Sequence, residues 1–360
     1  MGTRTQARAA TGAVLAAVLA AGCAGGTPIT RSSGSPAASP ADSGDGGGAA
    51  VALQQQYEQV VSRVLPSVVQ ITTEDAEGSG VVWDDQGHIV TNAHVVAGAE
   101  RIRVTAASGG TPTRATLTGS FAADDLAVVK VDGVQVRPAR FGDSGAAKVG
   151  QIVLAMGNPL GLSGSVSNGI VSALNRTVST RGEGAFPGAT IGNAIQTNAA
   201  INPGNSGGAL VSLSGEVLGI PTAAASDPQA GGTAGGIGFA TPSNTVRSIV
   251  PQLIEDGRVT DSGRAALGVT VRTIIDPDSS QQAAVGVVEV EDGGPAARAG
   301  IRPGDRIIAV NGTPTPGQTA LAEILAGLNP GDRARIDIEN PTGQRRTTNV
   351  TLGELPAGGA

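Results

Sequence analysis

Three residues far apart in this chain have side chains whose chemistry could be combined: a serine set among glycines, a histidine and an aspartate. Ser206 lies in the stretch from Gln196 to Leu210, QTNAAINPGNSGGAL, between two apolar runs. A serine hydroxyl attacks a carbonyl only when the backbone presents it beside a base and aims N–H groups at the oxyanion that forms. Gly204, Gly207 and Gly208 suit that task. Glycine tolerates positive φ and lets main chain approach a substrate, so Pro203-Gly204-Asn205-Ser206 can turn with successive N–H groups pointing inward. Taken alone, the same residues also make an ordinary hairpin turn. The choice depends on whether the chain supplies partners.

The chain contains two histidines. His88 falls in the polar stretch Asp84-Asp85-Gln86-Gly87-His88 between two apolar runs and is expected to be a solvated turn residue. His94, in TNAHVV, ends an apolar strand-like run and begins a short Ala/Val segment. Such strand-to-turn junctions carry catalytic groups on a rigid scaffold, although a lone histidine can equally be structural. Further along, in ADDLAVVKV, Asp125 immediately precedes a β-branched run. A partly buried carboxylate there can accept the Nδ1–H of His94, fix its tautomer and stabilise the imidazolium. Asp124 is expected to face water.

The segments GSGVVWDDQGHIVTNAHVV, DDLAVVKV, GNPLG, NGIVSALNR and INPGNSGGAL, in that order, resemble the HtrA/Deg family of serine proteases. The resemblance covers residues 58–355, and the order His94, Asp125, Ser206 is that of the chymotrypsin type. It implies His94 as general base, Asp125 as its orienter and Ser206 as nucleophile. The oxyanion hole would lie at Gly204, Asn205 and Ser206, with the N–H groups of Gly204 and Ser206 as donors. One position departs from the family pattern: Asn198 stands where an aspartate is usual, which is expected to alter loop hydrogen bonding without abolishing the chemistry.

The elements that must position these residues follow from composition and punctuation. Of 360 residues, 40% are hydrophobic but only 2% aromatic, and 55 are glycine. A core built from Val, Ala, Ile and Leu with many tight turns favours β structure. Composition points to a mainly β chain; the family resemblance implies a chymotrypsin-like double β-barrel over residues 51–257 followed by an α+β PDZ domain over 258–355. Short apolar runs from Val68 to Val153 make the first barrel, with Trp83 in its core, and those from Gly157 to about Ala240 the second. An amphipathic helix is expected from Val51 to Leu65, ended by Pro66. Tyr57 on it serves core packing or, as the resemblance implies, a trimer contact. A helix is also expected over Ser243 to Asp256, capped by Ser243 or Asn244, with Pro251 able to kink it. Arg176 to Gly192 lacks periodicity and reads as a long mobile loop, which the resemblance equates with a regulatory loop. Phe186 would be its apolar handle or a simple anchor.

The specificity pocket is expected to be lined by Leu218, Gly219 and Ile220, with Pro221, and by the run Gly236 to Ala240 including Ile237. Neither run carries an acidic residue, so cleavage after small or medium aliphatic residues is expected rather than after Lys or Arg. Beyond Gly257, the segments ALGVTV, GVVEV and GGPAARAGIRPGDRIIAVNG, with a helical Leu321 to Leu328, resemble a PDZ domain. Such domains add an extended peptide to a sheet edge and hold its carboxylate with loop N–H groups. Leu267, Gly268 and Val269 match that loop, against the alternative of a small β-rich packing domain.

At the N-terminus, residues 1–22 have the basic start and short apolar run of an export signal. Cys23, the lone cysteine, follows LAAG. It is an incidental apolar residue or, by resemblance to a lipobox, the acylated first residue of the mature chain. Residues 23–50 read as a lipidated N-terminus and disordered linker. These features imply an exported protein, lipid-anchored on the outer face of the cytoplasmic membrane. The charge balance, 24 basic against 30 acidic residues, with no basic cluster, excludes a nucleic-acid surface. No metal or nucleotide motif is present, so no cofactor is expected. The implied function is an ATP-independent serine endopeptidase acting on unfolded envelope proteins, with peptide ligands on the PDZ domain and a homotrimeric assembly. The alternative is a non-catalytic peptide sensor or holdase on the same scaffold.

Overall fold

The computed structural model describes residues 46–133, 137–158, 164–180, 182, 184–202, 204–227, 232–275 and 282–355. The export signal, Cys23 and most of the expected linker lie outside them. The first helix, α1 (Gly46–Val64), begins inside the stretch read as linker. Alanines at 49, 50 and 52 favour helix, so the apolar pattern that starts at Val51 is extended backward. Tyr57, Val60, Val61 and Val64 pack from it onto a core shared with both barrels, whereas Leu53 is 40% exposed. After Val64 the chain tightens into a 3-10 turn containing Pro66. Among the described residues no helix is long and apolar enough to cross a membrane.

Strands β1 (Val68–Thr72), β2 (Glu77–Val82) and β3 (His88–Thr91) are followed by a one-turn helix α2 (Ala93–Val96). Then come β4 (Ile102–Thr105), β5 (Thr113–Phe121) and β6 (Leu126–Val131). They close into an antiparallel barrel of order β1-β2-β3-β6-β5-β4. Its interior is aliphatic: Val69, Ile71, Val82, Ile89, Val104 and Val129 are buried together. Each such side chain contributes about 1.5–3 kcal/mol by leaving water. Trp83 is half-buried at the barrel's rim, with its ring 4.9 Å from that of Phe141.

The second barrel comprises β7 (Ile152–Gly157), β8 (Ser165–Ser179), β9 (Thr190–Thr197), β10 (Ala209–Ser212), β11 (Val217–Asp227) and β12 (Gly232–Pro242). Its order is β10-β11-β12-β9-β8-β7, closed by the pairing of β7 with β10. The run around Val153, expected in the first barrel, therefore belongs here: an apolar run shows that it is a strand but not which sheet it joins. The stretch expected to be a mobile loop is strand at both ends, 176–179 in β8 and 190–192 in β9. Val178 pairs with Ile191 and Ser179 with Thr190, so the connection shortens to residues 180–189 and Phe186 is 5% exposed. The glycines that obscured the pattern sit in the turn, while Thr177-Val178-Ser179 alternates as a strand should.

Helix α3 (Ser243–Asp256) returns across both barrels, burying Val246, Ile249, Val250 and Leu253 at helical spacing and continuing through Pro251. Neither expected cap operates. The Ser243 hydroxyl donates to the Gly142 carbonyl at 2.9 Å, and the Asn244 N–H is accepted by the hydroxyl of Ser144 at 3.1 Å, a cap supplied from another loop. Val259 follows into the same core.

The C-terminal part consists of β13 (Ala265–Ala266), β14 (Val269–Ile275), β15 (Gln282–Val290), α4 (Pro295–Arg298), β16 (Arg306–Val310), β17 (Thr313–Pro314), α5 (Gln318–Ala326), β18 (Arg333–Glu339), β19 (Arg345–Thr351) and β20 (Gly353–Glu354). The sheet runs β14-β15-β16-β18-β19, with β17 against β16, and β13 pairs with β20. Leu267, Val285, Ile307, Ile336, Ile338 and Val350 centre its own core, which Leu321 of α5 completes.

Candidate active site

His94 and Asp125 are brought together at one end of the first barrel. The β3 strand ends at Thr91, and α2 lifts His94 out of the wall while its neighbours Ala93, Val95 and Val96 stay buried. Asp125 caps a 3-10 turn over Ala122–Asp124 in the left-handed region, with φ +52°. Asp is one of the few residues that tolerates this conformation. It aims a fully buried carboxylate at His94 from both directions: Oδ1 accepts the His94 backbone N–H at 3.0 Å and Oδ2 meets Nδ1 at 2.7 Å. Asn92 Nδ2 donates to the Asp125 carbonyl at 2.8 Å, and the Thr222 hydroxyl of β11 also donates to Oδ2. With Nδ1–H held by the carboxylate, Nε2 is left as the basic nitrogen. The imidazole is about one-third exposed, at 32%, and Phe186 meets it edge-on with ring centroids 5.8 Å apart.

Ser206 sits half-exposed on the loop before β10, against this pair's segment of chain. A Cβ on Gly207 would lie 2.4 Å from Thr91 Oγ1 and 3.2 Å from the Asn92 nitrogen, and φ there is +80°. Only glycine fits so close to the strand end that carries His94. Among the described residues no hydrogen bond joins Nε2 of His94 to the Ser206 hydroxyl, a contact that commonly tightens only when substrate is bound. The loop is fixed through main chain. The Ser206 carbonyl accepts from Ser79 N at 2.8 Å and Gly207 N donates to the Pro221 carbonyl at 3.0 Å. The buried Ser79 hydroxyl donates to the Gly204 carbonyl at 2.5 Å and accepts from Asn158 N at 2.8 Å. Gly204 has φ +96°. Asn205, grouped with Gly204 and Ser206 on sequence, commits its N–H to the Asn202 carbonyl at 3.0 Å and its side chain to the Ala200 carbonyl at 3.2 Å. It shapes the turn and is not a free donor. The N–H groups of Gly204 and Ser206 have no acceptor among the described residues.

The expected pocket residues are dispersed. Ile220 is fully buried with Val246 and Ile249 under α3, and Leu218 is 4% exposed in the second barrel's interior. Gly219 presses on the Thr241 carbonyl, which a Cβ would approach to 2.7 Å. The strand comes alongside the site only at Pro221 and Thr222, so the three residues before them line core rather than cleft. Ile237 is 38% exposed, and beside it Gly238 lies under Ile201, whose Cγ1 is 2.4 Å from where a Cβ would be. Asn198 holds β8 through Oδ1, which accepts the Ile170 N–H at 2.7 Å, a role the amide oxygen fills as a carboxylate would. In the C-terminal part, Leu267 is buried, Gly268 has φ +67° and Val269 opens β14. They border a cavity of about 700 Å³ between β14, α5 and the hairpin 179–190 of the second barrel.

Two of the sequence expectations at this end are overturned. Asp124 is 3% exposed and paired with Arg264 at 3.1 Å instead of facing water. His88 is 8% exposed on β3, its Nδ1 2.6 Å from Asp84 Oδ2, because Asp84 Oδ1 accepts the N–H groups of Gln86 and His88 and folds the turn inward. Thr222, Ser79, Asn92 and Arg264 were not singled out from sequence. Only Ser79 carries a local signal, the small-residue run Gly78-Ser79-Gly80, where any Cβ in place of the glycines would clash.

Two closed six-stranded barrels, with a histidine–carboxylate pair from one and a glycine-wrapped serine from the other, define a trypsin-like peptidase. The sequence profile of the trypsin-like peptidase domain matches residues 78–220, and that of the PDZ domain matches residues 286–340. The serine protease PepD of Mycobacterium tuberculosis is 38% identical over 96% of this chain and 77% of its own length. The serine protease Do-like HtrB of Bacillus subtilis is 39% identical over 76% of this chain and 61% of its own. Among solved structures, the HtrA-type protease AlgW with decapeptide covers 83% of this chain at 32% identity and TM-score 0.55. The serine endoprotease from Yersinia pestis covers 83% at 34% identity and TM-score 0.54. The chain belongs to the HtrA/DegP family of serine proteases.

Proposed function

We propose that this chain is an exported, ATP-independent endopeptidase that cleaves unfolded or damaged proteins of the cell envelope through Ser206, His94 and Asp125. The observation that carries the reading is the double hold of Asp125 on His94, at the backbone N–H and at Nδ1, beside the Ser206 loop. His94 Nε2 takes the proton of the Ser206 hydroxyl as Oγ attacks the scissile carbonyl. The imidazolium formed is stabilised by Asp125, whose orientation is fixed in turn by Thr222. The N–H groups of Gly204 and Ser206 receive the oxyanion. His94 then protonates the leaving amine, and a water activated by the same nitrogen hydrolyses the acyl-enzyme.

The groove at Leu267, Gly268 and Val269 would take the C-terminal end of an extended peptide, a reading supported by the match to the PDZ profile; peptide binding as such is supported by the AlgW structure, solved with a decapeptide. Cleavage after small or medium aliphatic side chains rests on the absence of an acidic residue from the runs 218–221 and 236–240. An acyl group on Cys23 would tether the enzyme to the outer face of the cytoplasmic membrane, and α1 is the element available for a trimer contact. Relatives named as periplasmic endoproteases support an envelope location.

Ser206→Ala decides between enzyme and non-catalytic holdase. Turnover of a denatured protein substrate should fall about 10⁶-fold with fold retained. Undiminished hydrolysis by that variant removes the catalytic assignment.

A further inference from the structure

Arg264 lies outside the machinery just described. It sits on the segment between α3 and β13, yet its guanidinium reaches back into the first barrel and only 15% of its side chain is exposed. Nη1 donates to the Ala123 carbonyl at 2.5 Å and to Asp124 Oδ1 at 3.1 Å, and Nη2 donates to the Thr190 carbonyl at 2.6 Å. Ala123 and Asp124 are the last residues of the 3-10 turn whose end is Asp125. Thr190 begins β9, and the hairpin it closes carries Phe186, the ring that meets His94. One side chain therefore grips both the backbone that sets the acid and the hairpin that touches the base.

We propose that Arg264 is a positioning residue for the His94–Asp125 pair, acting through the Ala122–Asp124 turn. The proposal rests on the reading of Ser206, His94 and Asp125 as the reacting set. Arginine suits the role because its planar fork serves several diverging acceptors at once, where a lysine ammonium on a flexible stem cannot match that geometry. Two of the three acceptors are neutral carbonyls, so the tie persists whether Asp124 is protonated or not. Burial pushes the Asp124 carboxyl up and the Arg264 charge offsets that push, which adds to the hold when the carboxyl ionises.

Without the guanidinium, few bonds fix the left-handed residue 125 from behind. They are Asp125 N on the Ala122 carbonyl at 3.0 Å, the Thr241 hydroxyl on the Asp124 carbonyl at 3.2 Å and Asn92 Nδ2 on the Asp125 carbonyl at 2.8 Å. A misplacement of about 1 Å in such a set lowers the rate by up to about 10²-fold.

The test compares the full chain with its Arg264→Met, Arg264→Lys and Ser206→Ala variants. Three quantities are read: kcat and KM on a C-terminally amidated peptide, the rate of inactivation by an organophosphonate, and the thermal midpoint. Arg264→Met should lose roughly tenfold to a hundredfold in kcat and in inactivation rate at unchanged KM, with Arg264→Lys recovering part of the loss. An unchanged kcat and inactivation rate, a change in KM alone, or a deficit that vanishes well below the melting transition would each overturn the proposal. If Arg264→Met does not fold, Arg264→Lys carries the comparison, and full activity in it has the same consequence. A Ser206→Ala variant that still turns over substrate would instead bring down the underlying assignment.

Discussion

The two barrels hold their shares of the site by different means. In the first, Asp125 is fully buried and its carboxylate oxygens accept three hydrogen bonds, so base and acid are fixed by side chains packed into a strand end. In the second, Ser206 stands on a loop fixed mostly by main chain, with positive φ at Gly204 and Gly207, and its principal side-chain prop is Ser79 from the other barrel. The half proposed to supply the base is preorganised by its own core. The half proposed to supply the nucleophile borrows its rigidity from the other barrel. Side-chain changes should therefore strike the first half directly and the second only through its outside support.

The contrast breaks or holds on two substitutions. Asp125→Asn keeps the shape but presents an amide to Nδ1, which selects the wrong tautomer and leaves no charge to face the imidazolium. A fall of about 10⁴-fold in kcat is expected, with the fold kept, measured by peptide hydrolysis and near-ultraviolet dichroism. A modest effect would mean that the first half is not rigid in the way described. Ser79→Ala removes the donor to the Gly204 carbonyl and the acceptor of Asn158 N. The loop loosens but the two N–H groups proposed to receive the oxyanion remain, so kcat should fall less than on deleting a donor outright, by roughly 10- to 100-fold, with KM little changed. An unsatisfied buried N–H should also lower stability by about 1–3 kcal/mol in urea titration. If kcat holds while stability falls, the nucleophile loop does not depend on the first barrel.

What could be read from the sequence divides along the same line. The serine among glycines, the histidine at a strand end and the acid before a β-branched run are local patterns, and so is the spacing of Val246, Ile249, Val250 and Leu253 on α3. Burial of a charge is not local. Asp124 looked solvated because its partner Arg264 comes 140 residues later, and Thr222 reaches Asp125 across 97 residues. The misassigned Leu218 and Ile220 have a related cause: an apolar run in a closed barrel faces core on either side, and only the contact of Thr222 with Asp125 shows where the strand meets the cleft. His88 was misread because Asp84 folds a polar turn back onto its own strand, a geometry that composition does not encode.

The smallest expected effect probes the support behind the base half. Burial holds the Asp124 carboxyl above the ordinary carboxylate range, with the Arg264 charge offsetting part of the shift. The folded chain then keeps a proton that the unfolded chain has released, so this group's contribution to stability is fully present below the unfolded pKa of about 4 and is lost as pH rises through the folded value. Asp124→Asn cannot titrate. The stability of the natural chain minus that of Asp124→Asn, from urea unfolding at a series of pH values, should therefore decline as pH rises above about 4 and level off once pH exceeds the folded value. A difference that stays flat would show that Arg264 compensates the ionised carboxylate completely. A difference that rises with pH would show that the arginine stabilises the charge more than burial disfavours it. Either result would make the turn behind Asp125 an electrostatic support, whereas the expected decline leaves it one that stands chiefly on the arginine's bonds to carbonyl oxygens.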